Sequence, residues 1–302
     1  MTVALLLLPD FLLIVGGALL KRAGGFGSPF WSGVERLVYF VLFPALLFRS
    51  LAHAPLALGA AGPFVGAALA FTLAGMALSA LAKPLFGLPQ PTFAACFQCG
   101  FRFNTYIALA AASRIAGETG LAMISLLVGV LVPAVNFAAV GMLARGHRGR
   151  ILLELARNPL VIACVAGFAW RLAGWPLAGA AAHLLELLGN AALPLGLLAV
   201  GAGLSLARGT LPLPALAWWS AVKLLALPAI AFALGPVLGL SPLERQIAVV
   251  MAAVPTAPSA YILAMQMGGH GAPVAMLISS GTLLAALTLP LWIALATPLS
   301  GS

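Results

Sequence analysis

The chain has 302 residues, of which 63% are hydrophobic and only 7% are charged, and its formal net charge is +9. A soluble domain carries about a quarter charged residues, so this composition excludes a water-soluble fold and predicts an all-α polytopic membrane protein. The basic residues are spread over short loops rather than collected on one face, which excludes a nucleic-acid-binding surface.

Ten apolar segments follow one another along the chain, bounded by glycine, proline and charged residues. The first segment has no basic stretch before it and no A-x-A site after it, which favours a membrane helix over a cleaved signal peptide. We predict the segments at 3–21, 31–52, 57–82, 91–116, 119–144, 157–173, 180–206, 213–239, 243–267 and 271–297.

The two halves of the chain resemble each other. PDFLLIVGGALLKRAG at 9–24 aligns without gaps with PLVIACVAGFAWRLAG at 159–174, and NTYI at 104–107 matches SAYI at 259–262. The matches keep their order, which indicates two five-segment repeats, 1–144 and 157–302, joined by a short basic loop at 145–156. Because five is an odd number, the repeats enter the membrane from opposite sides, as in many secondary transporters.

The basic residues in the loops and near the segment ends divide unequally between the two predicted sides of the membrane. The richer side is predicted to be cytoplasmic, which places both termini outside and the 145–156 loop in the cytoplasm. The richer side has Lys21, Arg22, Arg36, Lys83, Arg145, Arg148, Arg150, Arg157 and Arg208, and the other has Arg49, Arg114, Arg171 and Arg245.

The fourth and ninth segments each contain a point where a regular helix is weak. Pro255 and Pro258 in the ninth segment cannot continue a helix, and Gly100 weakens the matching part of the fourth. Asn104 and Ser259 follow these points and are residue types that cap a helix N-terminus. Each segment is therefore predicted as two half-helices, whose free N–H groups suit a carboxylate. The alternative is a plain proline kink in the ninth segment and a buried hydrogen bond in the fourth.

Polar side chains within the apolar segments are candidate functional residues, because a charge at the bilayer centre costs ~2.5–3.5 kcal/mol on the insertion scale. Lys223 is predicted to face protein or an aqueous cavity rather than lipid. Asp10 and Glu186 are candidates for proton coupling, because burial in a membrane favours the protonated form of a carboxyl group. The alternative for each candidate is a side chain that reaches the interface or an interhelical hydrogen bond. The supporting or coupling candidates are Lys223, Asn136, Asn190, Glu186 and Asp10.

We predict no catalytic residue, no metal site and no cofactor. Cys96 and Cys99 form a C-x-x-C, but no second Cys or His pair completes a zinc site. The four histidines lie near helix ends and loops without ligand spacing, which makes an intramembrane enzyme the least favoured alternative. The chain has no P-loop, so ATP is not expected to drive it directly.

Five stretches resemble the auxin efflux carrier family, which includes plant PIN proteins and bacterial organic-anion permeases. F-R-x-N-T-Y-I and the P-x-x-P-S pair are the most specific parts of the resemblance. The stretches are LVYFVLFPALLF (37–48), FRFNTYIALA (101–110), NPLVIACVAGF (158–168), LLGNAALPLGLLAVGAGL (187–204) and VPTAPSAYILA (254–264).

The resemblance implies ten transmembrane helices in a 5+5 inverted fold. Segments 1, 2, 6 and 7 would form a scaffold, and segments 3–5 and 8–10 a moving transport domain. Segments 4 and 9 would cross at the substrate site at mid-membrane. The resemblance also implies an elevator-like movement and a homodimer.

In the plant branch, an asparagine at the crossing binds the substrate carboxylate, and the matching residue here is Asn104. The plant carriers have a proline just before it, where this chain has Phe103, so we expect a softer break in the fourth segment. On a regular helix Arg102 and Asn104 point in different directions, so we expect Arg102 to hold backbone carbonyls at the crossing, unless a local break lets both face the substrate.

The predicted function is a secondary transporter of a small organic anion, a mono- or dicarboxylate, across the bacterial inner membrane. The short basic central loop favours a bacterial-type permease over a plant carrier. A bile-acid sodium symporter type is the alternative, although sodium prefers carboxylate and carbonyl oxygens, and the crossing offers an arginine. The predicted substrate-binding residues are Arg102, Asn104, Thr105, Tyr106, Pro255, Thr256, Pro258, Ser259 and Tyr261.

Overall fold

The computed structural model describes residues 3–53, 61–143, 158–204 and 211–297, and every regular element in this part of the chain is helical. The all-α prediction is confirmed. The central loop at 145–156 and the chain ends lie outside the described residues. The stretches that are long and apolar enough to cross a membrane are Gly62–Phe86, Gln90–Leu143, Gly179–Gly203, Leu213–Val237 and Gly271–Ala296.

The helices are named α1 to α14 in chain order. The first half of the chain forms α1 (Val3–Ala23), α2 (Ser28–Leu37), α3 (Phe43–Ala52), α4 (Gly62–Ala80), α5 (Ala82–Phe86), α6 (Gln90–Phe97) and α7 (Thr105–Leu143). The second half forms α8 (Pro159–Leu172), α9 (Gly179–Gly203), α10 (Leu213–Ala221), α11 (Leu227–Val237), α12 (Pro242–Ala253), α13 (Ser259–Gln266) and α14 (Gly271–Ala296). Two π-helical turns, Val38–Leu42 and Val222–Ala226, join α2 to α3 and α10 to α11.

Each π-helical turn lies just before a proline, Pro44 in α3 and Pro228 in α11. Proline has no N–H, so the carbonyl four residues earlier loses its helical partner, which accounts for the local widening of the helix. At the second turn, Trp292 of α14 replaces the missing donor, because its indole N–H donates to the carbonyl of Leu224 at 2.9 Å. Lys223 therefore lies in a turn that a neighbouring helix holds in place.

The long helix α7 is broken where the sequence separates the fourth and fifth segments. Ala116 has φ −140° and ψ 21°, and Gly117 has φ 53° and ψ −134°. A side chain would be strained at the dihedral angles of Gly117, whereas glycine adopts them readily. The chain therefore leaves the helical path at Gly117.

The chain divides into two compact units, each drawn from both halves of the sequence. The first unit comprises Met1–Ala57, Tyr106–Val132 and Leu152–Leu204. The second unit comprises Leu58–Thr105, Pro133–Ile151 and Ser205–Ser302. Helices α1 to α3, α8 and α9 thus belong to the first unit, and α4 to α6 and α10 to α14 belong to the second.

Glycines let α1 and α9 pack closely in the first unit. A Cβ on Gly17 would lie 1.9 Å from the carbonyl oxygen of Leu198, and a Cβ on Gly201 would lie 1.7 Å from that of Ile14. Both distances are far below van der Waals contact. Small residues allow such backbone approach between membrane helices, where van der Waals packing is a main source of association.

Replacing Gly201 by alanine is expected to destabilise the first unit, because the new methyl group would force α1 away from α9. Overpacking of this kind costs about 1–3 kcal/mol. The matched control is Gly16→Ala, since a Cβ on Gly16 would meet only the side chain of Leu198 at 3.7 Å, an ordinary contact. Thermal unfolding of both purified variants in detergent measures the difference, and equal melting temperatures would contradict the close packing at Gly201.

Candidate functional site

Both predicted breaks are present in the second unit. Helix α6 ends at Phe97 and a short 3₁₀ turn continues it to Gly100, after which residues 101–104 are non-helical. Helix α12 ends at Ala253, and residues 254–258 are non-helical before α13 begins. We call residues 101–104 and 254–258 the paired interruptions.

The paired interruptions bind each other through groups that the breaks release from helical hydrogen bonding. The backbone N–H of Asn104 donates to the carbonyl of Pro255 at 2.8 Å, and the hydroxyl of Thr256 donates to the carbonyl of Cys99 at 2.7 Å. Buried backbone groups need such partners. Asn104 is 0% exposed and Thr256 is 4% exposed, so this contact lies within the protein interior.

The expected softening of the fourth-segment break by Phe103 is wrong, because the break is complete without a proline. The backbone N–H groups of Phe101 and Arg102 both donate to the carbonyl of Gln98, at 3.3 and 2.9 Å. The N–H of Asn104 has its acceptor on the opposite interruption. Two local bonds to Gln98 and one bond to the opposite interruption thus stabilise the non-helical path in the absence of a proline.

Arg102 connects three separate parts of the second unit. Its side chain is buried at 6% exposure. One terminal nitrogen, Nη1, donates to the hydroxyl oxygen of Ser259 at 3.0 Å, and the other, Nη2, donates to the side-chain oxygen of Asn136 in α7. Two side-chain oxygens thus accept from these nitrogens, and a role of Arg102 in holding backbone carbonyls stays a prediction.

The prediction that Ser259 caps the second half-helix is also wrong. The residue at the cap position is Pro258, whose φ of −56° and ψ of −27° are already helical, and Ser259 is the first residue of α13. The N–H of Tyr261 donates to the carbonyl of Pro258 at 3.0 Å. Because proline fixes φ near the helical value, the turn starts one residue early, and the Ser259 hydroxyl instead accepts from Arg102. Asn104 does directly precede its helix, α7.

The structure gathers only part of the predicted binding set. Arg102, Asn104, Thr256 and Ser259 come together at the paired interruptions of the second unit. Tyr106 belongs instead to the first unit, where its ring stacks on Phe43 with centroids 4.4 Å apart and planes 10° apart. Thr105 and Pro258 are half-buried, and Tyr261 is exposed.

Lys223 is buried at 3% exposure, which agrees with the expectation that it faces protein. Its ammonium donates to the carbonyl of Ala252, near the end of α12. Beside it is a cavity of about 10 Å³, about the space that one water molecule needs. The cavity is also lined by Cys99, Pro255 and Thr256. Lys223 therefore shares this cavity with residues that join the paired interruptions.

The other coupling candidates, Asn136 apart, lie in the first unit. Asp10 forms an ion pair with Arg114 at 3.3 Å, and Glu186, which is 48% exposed, has Arg49 at 3.8 Å. Asn190 is exposed on α9. Coupling by any of these residues stays a prediction.

Sequence reasoning missed three polar side chains that hold the helix ends. The amide of Gln98 is 0% exposed and donates to the carbonyl of Ala260 at 3.1 Å. The hydroxyl of Ser79 donates to the carbonyl of Phe97, and Trp219 Nε1 donates to Ser79 at 2.7 Å. Gln98 could have been noticed as a full amide in an apolar run, whereas serine and tryptophan are too common in membrane helices to give a signal.

The second half of the chain is similar to a known protein family. Residues 148–293 match the model of a family described as membrane transport protein, which is the auxin efflux carrier and PIN-like family. The match covers a little under half of the chain. No curated protein matches the chain.

The family match and the long apolar helices support an integral membrane protein. The matched family implies a membrane transporter of the auxin efflux and permease type. The matched residues include the second of the paired interruptions and Lys223.

Proposed function

We propose that the protein is a secondary active transporter that carries a small organic anion, a mono- or dicarboxylate, across the inner membrane. The observation that carries this proposal is the buried guanidinium of Arg102 beside Asn104, where two membrane helices are interrupted. A positive charge inside a membrane protein is costly and marks a substrate path by default. An anion is the ligand that such a charge would hold.

The helix ends at the paired interruptions add to this positive potential. Helices α7 and α13 begin at Thr105 and Ser259, and the N-terminus of a helix is the positive end of its dipole. Arg102 contacts Ser259 directly. A carboxylate bound here would therefore meet a guanidinium, the Asn104 amide and the first turns of two half-helices.

The proposed transport movement is elevator-type alternating access of two inverted five-segment repeats with ten spans, in which the broken segments cross at mid-membrane. The division of the chain supports it, because segments 1, 2, 6 and 7 contribute to the first unit and segments 3 and 8–10 to the second. The first unit would be the scaffold and the second the transport domain. Tyr106–Val132, which the sequence assigned to the transport domain, lies in the first unit. A homodimer is part of this proposal.

The proposed orientation has both termini outside and the 145–156 loop in the cytoplasm. Single cysteines at Ser302 and Gly146, which both lie outside the described residues, test it with a membrane-impermeant thiol reagent. The three native cysteines are buried, so the background labelling should be low. Labelling of intact cells is expected at Ser302 and not at Gly146, and the reverse pattern would invert the topology.

The anion specificity is tested by the thermal stability of the purified protein with acetate, lactate, malonate and succinate. A ligand that binds only the native state raises the melting temperature, and the rise grows with the logarithm of ligand concentration above its Kd. The matched controls are the corresponding neutral amides at the same concentrations. We expect at least one carboxylate, and none of the amides, to stabilise the protein. Equal effects of acids and amides would exclude an anion site.

A further inference from the structure

The two interrupted segments end their first half-helices at equivalent places. The match of NTYI to SAYI relates residue 104 to residue 259, and the same spacing of 155 residues relates Phe97 to Ala252. Phe97 is the last residue of α6, and Ala252 is the second-last residue of α12. The final carbonyls of a helix have no helical donor ahead of them and form the negative end of its dipole.

The two carbonyls receive chemically different donors. The Phe97 carbonyl accepts from the neutral hydroxyl of Ser79, which Trp219 holds in place. The Ala252 carbonyl accepts from the amine of Lys223. One half-helix therefore ends on a neutral hydroxyl, and the other ends on a basic amine that is positively charged when protonated.

The position of Lys223 is fixed by the helix that carries it. It lies in the π-helical turn Val222–Ala226 before Pro228, and Trp292 binds the next carbonyl, that of Leu224. A buried charge requires strong acceptors to offset its lost hydration. The negative end of α12 supplies such an acceptor, so Lys223 and the helix end stabilise each other.

Transporters with interrupted helices commonly coordinate their coupling sodium ion or proton with the C-terminal ends of half-helices and unwound carbonyls. In this chain the end of α12 is already occupied by Lys223. The cavity beside Lys223 is lined by Cys99 and Thr256. These two residues are hydrogen-bonded to each other and join the two interrupted segments. The charge thus lies where a coupling cation would support a bound anion.

We propose that Lys223 is a built-in cation that takes the place of a coupling metal ion at the end of α12, so that anion binding and transport do not depend on sodium. This inference rests on the proposed transport of an organic anion. Ser79 is its neutral counterpart at the end of α6. Removal of the Lys223 side chain should create a site for a small external cation, and removal of the Ser79 hydroxyl should not.

Chemical rescue of Lys223→Ala tests the cation site without any substrate. The full-length variant, purified in detergent, is heated in choline chloride, in sodium chloride and in ethylammonium chloride at equal ionic strength. We expect a lower melting temperature than wild type in choline, and a saturable rise with ethylammonium or sodium. Wild type and Ser79→Ala should show no such rise. The same response in all three proteins, or no response in Lys223→Ala, would overturn the proposal.

Lys223→Met and Lys223→Arg keep the test decisive if the alanine variant fails to fold. Methionine fills the volume without the charge, and arginine keeps a permanent charge. Vesicle uptake of radiolabelled lactate and succinate by Lys223→Met should fall about tenfold, the effect of one lost charge-assisted hydrogen bond, while Lys223→Arg should retain sodium-independent uptake. Uptake by Lys223→Met equal to that of wild type would overturn the proposal.

Uptake measurements on the wild-type protein distinguish a failure of the built-in cation from a failure of the proposed anion transport. Vesicle uptake that a sodium gradient drives would leave the anion transporter intact and overturn the role of Lys223. If neither acid is taken up while ethylammonium still rescues Lys223→Ala, the proposed substrate class fails and the built-in cation stands. Uptake that is equal in sodium and choline, with rescue of the variant, supports both.

Discussion

Arg102→Ala is expected to abolish anion transport. The substitution removes a buried positive charge and two hydrogen bonds, to Ser259 and to Asn136. Truncating a buried, hydrogen-bonded charge costs about 2–5 kcal/mol, and the larger part of that range lowers binding by more than about 100-fold. The measurement is carboxylate uptake into vesicles, normalised to the amount of folded protein, because the variant is also expected to be less stable.

The matched control for Arg102→Ala is Arg114→Ala. Arg114 pairs with Asp10 at 3.3 Å, and its side chain is 45% exposed while that of Asp10 is 13% exposed. An ion pair that solvent reaches contributes only about 0–1 kcal/mol. We therefore expect this variant to transport nearly as well as wild type. If Arg102→Ala takes up the anion as fast as wild type, the guanidinium serves only packing, and the main support for an anion site is lost.

Arg102→Lys and Asn136→Ala separate the charge of Arg102 from its geometry. Lysine keeps the charge but lacks the planar fork that reaches two acceptors, and Asn136→Ala removes one acceptor from the native guanidinium. If the charge alone holds the anion, both variants should retain most of the affinity. If Arg102 acts by fixing Ser259 and α7, both should lose it.

The interruption in the ninth segment could be predicted from the sequence because its cause is local. Pro255 and Pro258 lack the N–H that a helix needs, whatever their surroundings. The cap position of Asn104 follows from the side-chain preference of a single residue. The start of α13 was misplaced because Pro258 has helical dihedral angles, and the choice between ending and beginning a helix at a proline depends on its neighbours.

The partners of the site residues could not be predicted, because tertiary contacts bring them together. Arg102 meets Asn136 across 34 residues and Ser259 across 157, and Trp219 meets Ser79 across 140. In an apolar chain, hydropathy and helical periodicity say little about which polar side chains face each other. The burial of Lys223 was predictable from the cost of a charge in lipid, but its acceptor at the end of α12 was not.

The membership of Tyr106 in the first unit illustrates the same limit. The two residues before it, Asn104 and Thr105, belong to the second unit, and the motif N-T-Y-I gives no sign of a division. The stacking of its ring on Phe43 explains the assignment, since a parallel aromatic pair contributes about 0.5–1.5 kcal/mol beyond its buried area. A motif can therefore mark a functional region without marking the body to which each residue belongs.

Asn104→Ala is expected to weaken carboxylate binding by about 1–3 kcal/mol, or roughly 5- to 150-fold, the usual cost of leaving a buried polar partner unmatched. The substitution is selective, because the backbone N–H that donates to Pro255 at 2.8 Å remains. Only the side-chain amide is removed, at a position that is 0% exposed. The paired interruptions should therefore persist, apart from about 0.5–2 kcal/mol of stability through the loss of a cap residue.

Two further asparagine variants sharpen the test of Asn104. Asn104→Asp has nearly the same shape but places a negative charge beside the proposed carboxylate, so it should weaken binding more than alanine does, through like-charge repulsion. Asn190→Ala removes an exposed amide from α9 in the first unit and should leave affinity unchanged. Isothermal titration with the carboxylate that stabilises wild type measures all three. Wild-type affinity in Asn104→Ala would move the anion away from the paired interruptions, and the crossing of the two broken helices would then need another function.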